Sequence, residues 1–307
     1  MKKMFALLMA LTMTASLLAG CGSSAAPAAS AVASTSASAS ASGAKYNTGM
    51  PELDSILNNA TGRLADILAA GKITCVSEVA FAPYEFVDPD ISNEQDSYVG
   101  SDMELARYIA SCLGVKLEID NVVWDAVATG VQDGKYDMAI SGMLYTEERA
   151  EAMDLSDIYV TDETNVQTFI VPKDKVNDYT QLSDFDGKRI AYQMGTVQQE
   201  LVNNQLKNPV TSEFSSVQDA VLALQSGKCD AVAIAYQVGL PMVEANKDLV
   251  ISDVNFIYDK NGLVVACKKG ESDLVAAINV IIADEISKGL YTDWTTAAQA
   301  RVKELGL

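Results

Sequence analysis

One pattern of residues occurs twice in the 307-residue chain and limits the folds that it can adopt. Asp125–Ile140 and Asp219–Ala233 each combine a helical stretch, a Gly-Lys turn, an aspartate and a short apolar run. In a shorter pair, Gly71–Val76 and Gly187–Tyr192, the Gly-Lys step also leads into an apolar strand. Helices that alternate with buried strands are typical of α/β proteins. The repetition therefore predicts two similar α/β lobes.

The repeats also predict where a ligand binds. In open α/β sheets, ligands bind beyond the carboxyl ends of parallel strands. Ser141-Gly142 follows the apolar run of the first copy, and Ile234-Ala235 follows that of the second. If the two lobes face each other, these dipeptides lie on opposite walls of one cleft.

The stretch after the first copy carries the residues of an anion site. Tyr136–Ile140 is a short apolar strand, Ser141-Gly142 is a turn whose N–H groups can face a ligand, and Thr146 is a candidate helix N-cap. Arg149, one turn inside that helix, can reach back to the end of the strand. A strand end, a glycine turn and an arginine together predict a carboxylate site. The alternative is a surface loop in which Arg149 pairs with a nearby glutamate.

Composition excludes several classes of function. The content of 49% hydrophobic and 21% charged residues is compatible with a packed core. A formal net charge of -19 argues against nucleic acid and anionic membrane surfaces as partners. The chain has no histidine, which removes imidazole metal sites and the Ser-His and Cys-His catalytic pairs. No cofactor is expected.

The N-terminus carries a targeting pattern. Two lysines precede the apolar run Phe5–Leu18, which is short for a membrane span. The run leads directly into Ala19-Gly20-Cys21. This pattern resembles a bacterial lipoprotein signal, which implies removal of residues 1–20 and a lipid on Cys21 that holds the protein to the extracytoplasmic face of the cell membrane. An ordinary secretory signal with a chance cysteine is the alternative. Residues 21–44 are rich in Ser and Ala after the cysteine and predict a flexible tether.

Four more cysteines lie in the remainder of the chain: Cys75, Cys112, Cys229 and Cys267. Export permits disulfides, and four cysteines allow three pairings. Because no close spacing indicates a disulfide framework or a metal site, we expect free thiols.

An ordered set of short motifs resembles one known family. In the first half these are Gly71-Lys72-Ile73-Thr74, Phe81-Ala82-Pro83-Tyr84-Glu85-Phe86, Val99-Gly100-Ser101-Asp102-Met103-Glu104-Leu105-Ala106, Trp124-Asp125, Gly134-Lys135-Tyr136-Asp137, Ser141-Gly142-Met143, Thr146-Glu147-Glu148-Arg149 and Asp154-Leu155-Ser156-Asp157-Ile158-Tyr159. In the second half they are Leu182-Ser183-Asp184-Phe185-Asp186-Gly187-Lys188 and Met194-Gly195-Thr196. Over roughly residues 70–290 the chain resembles the solute-binding proteins that serve ABC importers for polar amino acids.

The resemblance implies an α/β fold with two lobes, of the periplasmic-binding-protein-like type II or Venus-flytrap kind. The chain would pass between the lobes at two hinge crossings, near Tyr159–Thr164 and Tyr258–Leu263. The expected first lobe comprises residues 45–162 and 262–307, and the expected second lobe comprises residues 163–261. Binding of a ligand would close the lobes.

Three helical patterns are expected to pack on the first lobe: Pro51–Ala70, which forms one or two helices, Leu274–Ile286 and Leu290–Leu305. The second of these has a predicted apolar face formed by Ile278, Ile281, Ile282 and Ile286.

The resemblance also implies ligand-binding positions in both lobes: Glu78, Phe81, Trp124, Ser141, Gly142, Met143, Arg149, Gln193 and Thr196. Arg149 and Thr196 would hold the ligand carboxylate, with backbone N–H groups of Ser141–Met143 contributing. Phe81 and Trp124 would form aromatic walls, for which core filling is the alternative.

Two further positions would contact the ligand side chain. Glu78 would favour a cationic or hydrogen-bond-donating group, and Gln193 would act from the second lobe. Asp137 and Asp230, which both repeats share, are expected to be structural.

Two positions depart from the family pattern. Leu144 stands where Ser or Thr is usual, and Ala235 stands where an acid that receives the ligand ammonium is usual. An ammonium that is buried without acceptors is costly. We therefore expect a ligand that lacks a standard α-ammonium, or one turned so that Glu78 or Tyr236 accepts it.

These features predict a lipid-anchored extracellular solute-binding component of an ABC importer, not an enzyme. It would act as a monomer and deliver a small amino-acid-like carboxylate to the membrane permease. One alternative is a sensor that presents its ligand state to a membrane receptor. Another is a dehydratase of the same fold with Glu78 as general acid, although no second acid for the cleft is evident in the sequence.

Overall fold

The computed structural model describes residues 45–161, 166–258 and 262–307. The predicted signal peptide, Cys21 and the whole tether lie outside these residues, as do parts of both predicted hinge crossings. Within the described ranges, no helix is both long enough and apolar enough to span a bilayer.

The first described range alternates helices with short strands. Its elements are α1 (Pro51–Asn58), α2 (Gly62–Ala70), β1 (Lys72–Ser77), β2 (Phe86–Val87), α3 (Glu94–Ser97), β3 (Tyr98–Val99), α4 (Ser101–Leu113), β4 (Lys116–Asn121), α5 (Trp124–Gln132), β5 (Met138–Ala139), α6 (Glu147–Ala152) and β6 (Met153–Leu155). The single pattern predicted at Pro51–Ala70 is thus two helices.

The second described range repeats this alternation. Its elements are β7 (Gln167–Pro172), two 3-10 helices (Lys173–Asp178 and Leu182–Phe185), β8 (Arg189–Gln193), α7 (Val197–Gln205), β9 (Val210–Phe214), α8 (Val217–Gln225), β10 (Ala231–Ala235), α9 (Tyr236–Ala245) and β11 (Leu249–Ile251). The third range contains β12 (Ala266–Lys268), α10 (Ser272–Lys288) and α11 (Leu290–Leu305).

Two five-stranded sheets define two lobes. The first sheet has the order β4-β1-β5-β12-β6, and the second has the order β11-β7-β10-β8-β9. In each sheet two of the four strand pairings are parallel and two are antiparallel, so that β12 in the first sheet and β7 in the second run opposite to the other four strands. We call these sheets with their helices the first and second lobes. The predicted two-lobed α/β fold is confirmed.

The last helices complete the first lobe, because β12 joins its sheet and α10 packs on α1, α2 and α4. Ile278, Ile281 and Ile282 are buried as predicted, but Ile286 is 53% exposed. The 3.6-residue period places Glu285, not Ile286, on the same helix face as these three isoleucines. Glu285 is accordingly 1% exposed, and the prediction for Ile286 was wrong.

The aspartate of each repeat ties a turn to the neighbouring strand. Asp137 accepts hydrogen bonds from the N–H and hydroxyl of Thr74, both at 2.7 Å, and pairs with Arg63. In the second lobe, Asp230 accepts from the N–H of Arg189 at 2.9 Å and pairs with its guanidinium at 2.6 Å. Both aspartates therefore have the structural contacts that the sequence predicted.

We expect Asp137→Ala to lower the free energy of unfolding by about 3 kcal/mol, because three hydrogen bonds to a charged group are lost. Asp230→Ala is the matched control, since the Asp230 side chain is 22% exposed against 5% for Asp137. It should cost only about 1 kcal/mol, because solvent weakens exposed ion pairs. Urea unfolding followed by circular dichroism measures both values, and equal losses would contradict the expectation.

All four cysteines in the described ranges are free thiols. Cys75, Cys229 and Cys267 are buried and Cys112 is partly buried. Burial raises the pKa of the Cys229 thiol to about 11, and it also raises the pKa of the other three. These thiols are therefore protonated and poorly reactive at neutral pH.

Candidate functional site

A cavity lies between the two lobes where strands from both sheets end. First-lobe residues that line it are Glu78, Phe81, Tyr84, Glu85, Trp124, Ser141, Gly142, Leu144, Arg149 and Leu263. Second-lobe residues are Gln167, Gln193, Thr196, Val197, Gln198, Val217, Ala233, Ile234 and Ala235. The two dipeptides expected on opposite walls, Ser141-Gly142 and Ile234-Ala235, are both present. Of the positions that the resemblance implied, only Met143 is not among the lining residues.

Arg149 is the cationic group of this cavity. The hydroxyl of Thr146 caps α6 by accepting from the Arg149 N–H at 3.2 Å, as predicted, and this places the arginine in the first turn. The guanidinium donates to the carbonyl of Leu144 at 2.6 Å and lies 5.5 Å from the Trp124 ring centre. Burial lowers the pKa of Arg149, and the charge of Glu200 acts in the opposite direction.

Arg149 differs from the other arginines of the described ranges. Each of the others forms an ion pair with a carboxylate: Arg63, Arg107, Arg189 and Arg301. Arg149 forms none within these ranges, so the predicted alternative of a surface pair with glutamate is not observed. A desolvated guanidinium without a carboxylate partner is well suited to bind an anion.

The second lobe contributes a helix N-terminus. Thr196 is the N-cap residue of α7, and Val197 and Gln198 follow it along the cavity wall. The first N–H groups of a helix have no intrahelical acceptor and favour negative charge. The hydroxyl of Thr196 donates to the Gln193 carbonyl at 2.7 Å, so its contribution to an anion site would come from its backbone.

Two aromatic rings form parts of the cavity wall. Phe81 packs on the turn at Gly142, where a Cβ atom would lie 3.1 Å from the ring. Trp124 begins α5 and donates through Nε1 to the Gly195 carbonyl of the other lobe at 2.9 Å. Both side chains remain partly exposed, in contrast to core residues. Both rings line the cavity and also pack against buried apolar clusters.

Glu78 and Gln193 meet across the cavity. The Gln193 amide donates to the two carboxylate oxygens of Glu78 at 2.9 and 2.7 Å, and both side chains are buried. Burial raises the pKa of Glu78, while the hydrogen bonds from Gln193 and from the Trp124 backbone act in the opposite direction. This contact joins the lobes directly at the two predicted side-chain positions.

The N–H and hydroxyl groups of the turn at Ser141–Met143 have other hydrogen-bond partners than the ligand that the sequence predicted. The Gly142 N–H donates to Asp102 at 2.6 Å, so it does not point to a ligand. The Ser141 hydroxyl donates to Glu85 at 2.8 Å and accepts from the Glu78 N–H at 3.0 Å. The Met143 side chain is fully buried in an apolar cluster with β5. Any anion contact from this turn is therefore limited to remaining backbone groups.

The two positions that depart from the family pattern both line the cavity. Leu144 lies beside Arg149, and its carbonyl oxygen accepts the hydrogen bond from the guanidinium. Ala235 is the last residue of β10 and lies on the facing wall. Tyr236, the first residue of α9, is not among the lining residues. This part of the cavity thus presents apolar side chains where an ammonium would need acceptors.

From the sequence we expected no acid in the cavity besides Glu78, and this expectation was wrong. Glu85 is fully buried and lines it. The side chains of Tyr84, Gln167, Gln198 and Val217 were also not anticipated. Glu85 lies within a motif that the resemblance used, but no local pattern shows which way its side chain faces.

Two facing α/β lobes with a cavity between them define a solute-binding protein of the Venus-flytrap class. The chain belongs to the bacterial extracellular solute-binding proteins, family 3, whose family model matches residues 73–296. The family resemblance drawn from the motifs is confirmed. Relatives in this family are amino-acid-binding proteins of ABC transporters.

Similar proteins include several that bind arginine. The arginine-binding extracellular protein ArtP of Bacillus subtilis is 27% identical over 224 residues, which cover 71% of this chain and 82% of ArtP. The structure of the amino acid ABC transporter substrate-binding protein AbpA from Streptococcus pneumoniae, bound to L-arginine, is 32% identical with a TM-score of 0.72. This match covers 78% of this chain and 98% of AbpA.

A second similar structure is that of the ancestral amino acid-binding protein AncCDT-1, a precursor of cyclohexadienyl dehydratase. It is 26% identical with a TM-score of 0.68, over 77% of this chain and 99% of the other.

Proposed function

We propose that the protein is the lipid-anchored solute-binding component of an ABC importer and that it binds a small carboxylate between its lobes. The observation that supports this proposal most strongly is Arg149 on the cavity wall. Its guanidinium is partly buried and has no carboxylate partner among the described residues. The N-terminus of α7 lines the same cavity from the second lobe. A carboxylate held by both would join the two lobes.

Closure of the lobes is part of this proposal. Trp124 and Glu78 already contact the second lobe through hydrogen bonds to Gly195 and Gln193. A ligand adds contacts that exist only when the lobes are closed, so it favours the closed form. In this proposal the protein acts as a monomer and delivers its ligand to an ABC permease.

Lipid anchoring through Cys21 rests on the sequence, as does the extracytoplasmic location of the folded part. The Ser/Ala-rich segment after Cys21 would keep the lobes free of the bilayer surface.

We propose binding without catalysis. Both oxygens of Glu78 accept from Gln193, and Glu85 is fully buried against Ser141. A general acid needs a proton to deliver to the substrate, and the Glu78 arrangement favours a carboxylate that only accepts.

The ligand class follows from the charges and apolar residues of the wall. Glu78 suits a cationic or donor group at one end, and Arg149 suits a carboxylate at the other. Leu144 and Ala235 offer no side-chain acceptor for an α-ammonium beside Arg149. We propose a carboxylic acid with a cationic or donor tail and without a free α-amino group. L-Arginine, the ligand of several relatives, has the tail and the carboxylate but also the ammonium.

A thermal-shift screen of amino acids, their N-blocked and desamino derivatives and small organic acids tests this class, because a ligand of the folded state raises the melting temperature. Calorimetry on the best ligand should show a loss of about tenfold or more in affinity for Glu78→Ala. The exposed Glu52 provides the control Glu52→Ala, which should leave affinity unchanged. Tight binding of an ordinary α-amino acid that Glu78→Ala does not affect would refute the proposed class.

A further inference from the structure

Two buried carboxyl groups lie next to each other at the cavity, Glu85 before β2 and Asp102 in the first turn of α4. Both residues are fully buried, and Glu85 lines the cavity. They meet because Gly100 lets the start of α4 pass close to the backbone of Tyr84 and Glu85. The Asp102 N–H donates to the Tyr84 carbonyl at 2.9 Å and fixes this arrangement.

The two carboxyl groups have very different numbers of hydrogen-bond donors. Asp102 accepts from the Gly142 N–H at 2.6 Å, the Tyr159 hydroxyl at 3.0 Å and the Tyr291 hydroxyl at 2.5 Å. Glu85 accepts one bond, from the Ser141 hydroxyl, and its Oε2 atom has no partner within the described ranges. Donors stabilise the ionised form of a carboxyl group. The negative charge therefore belongs on Asp102 and the proton on Glu85.

No cation of the described ranges is in direct contact with either carboxyl group, and Arg149 is the cationic residue on the same cavity wall. Within the described ranges, neither acid forms an ion pair with lysine or arginine. The titratable groups that face the pair are Glu78, Tyr84, Tyr159, Tyr291 and Cys75. None of them carries a positive charge in any protonation state. Two adjacent buried carboxylates would repel each other in a medium that screens charge poorly.

The pKa directions agree with this geometry. Burial raises the pKa of Glu85 well above its ordinary value, and the charge of Asp102 raises it further. Burial also raises the pKa of Asp102, to about 6, while its tyrosine and backbone donors act in the opposite direction.

We propose that Glu85 is a specificity-determining residue whose carboxyl group is uncharged in the folded protein, and that its ionisation prevents carboxylate ligands from binding in the interlobe cavity. Its part in ligand binding rests on the proposed function, because Arg149 supplies the charge that the ligand needs. An ionised Glu85 on the same wall would offset that charge. A neutral Glu85 leaves the cavity selective for anions and still holds the Ser141 hydroxyl.

The protonation state is tested without any ligand by comparing the melting temperature of the whole protein and of Glu85→Gln between pH 5 and pH 8. The amide replaces a neutral carboxyl group of the same shape. Because the pKa of Glu85 is higher in the folded chain than its ordinary value of 4.5, its stabilising effect is complete below that value and is lost as pH rises toward the folded pKa. The melting temperature of Glu85→Gln should therefore rise relative to the original protein with increasing pH.

Glu285→Gln is the matched control. Glu285 is also a buried glutamate with one unpartnered oxygen among the described atoms, but it accepts from the Tyr291 N–H and does not line the cavity. Its replacement should change stability without changing the response of ligand affinity to pH. Parallel melting profiles for Glu85→Gln and the original protein would overturn the assigned protonation state.

The effect on ligand binding is measured by calorimetry at pH 6 and pH 8 with 5-guanidinopentanoate, which is arginine without its α-amino group and so belongs to the proposed ligand class. We expect affinity to fall about tenfold for each pH unit above the Glu85 pKa in the original protein and in Glu285→Gln, and to change little in Glu85→Gln. Equal pH responses of all three would overturn the coupling to ligand binding. If no carboxylate binds at any pH, the proposed function fails, while the melting profiles still decide the state of Glu85.

Discussion

Replacement of Arg149 by alanine should weaken binding of a carboxylate ligand by about 2–5 kcal/mol, or about 30-fold and more in Kd. The guanidinium is desolvated, contacts the Trp124 ring and uses one donor on the Leu144 carbonyl. Its other donors are available to an anion, because a guanidinium has five N–H groups. Calorimetry with the best ligand from the screen measures the loss.

Two further variants show whether the loss is specific to the guanidinium of Arg149. They are Arg149→Lys and the control Arg107→Ala. Lysine keeps the charge but lacks the planar pair of donors, so it should restore only part of the affinity. Arg107 lies on α4 and pairs with the partly exposed Glu104 away from the cavity, so Arg107→Ala should leave Kd unchanged. Full affinity in Arg149→Ala, with intact melting behaviour, would show that the ligand carboxylate binds elsewhere.

Gly100→Ala should strongly destabilise the first lobe. A Cβ atom at Gly100 would lie 2.1 Å from the Tyr84 carbonyl oxygen and 2.9 Å from the Glu85 nitrogen. The clash is with backbone and cannot be relieved by a rotamer change, and the φ angle of 121° is unfavourable for any L side chain. We expect a loss of more than about 4 kcal/mol in the free energy of unfolding, or failure to fold.

Gly114→Ala at the other end of α4 is the matched control. Gly114 also has a positive φ, of 70°, but a Cβ atom there would meet nothing within 4 Å. It should cost only about 1–2 kcal/mol, the strain of a left-handed residue. Urea unfolding measures both variants, and similar losses would show that close packing at Gly100 does not matter.

Features that depend on local pattern were predictable from the sequence. The repeated Gly-Lys turns indicated two lobes, and the Thr146 hydroxyl caps α6 as its position suggested. The strand ends placed Ser141-Gly142 and Ile234-Ala235 on one cavity. Each of these follows from chain periodicity, caps or topology, which act over short distances along the sequence.

Contacts between distant parts of the chain were not predictable. The Gly142 N–H is taken by Asp102, and Glu85 lies in the cavity wall, because α4 packs against the Glu85 turn. The periodicity of apolar residues along the chain gives no information about contacts between such distant segments. The error at Ile286 has a different cause, since an apolar residue one position from the buried face was counted as part of it.

A crystal structure of the protein with the best carboxylate from the screen shows whether Arg149 and the start of α7 hold one ligand between the two lobes. We expect the ligand carboxylate within about 3 Å of the Arg149 guanidinium and of N–H groups at the start of α7, with both lobes in contact with one molecule. A ligand whose carboxylate faces solvent, or one bound to a single lobe with Arg149 uninvolved, would contradict this expectation.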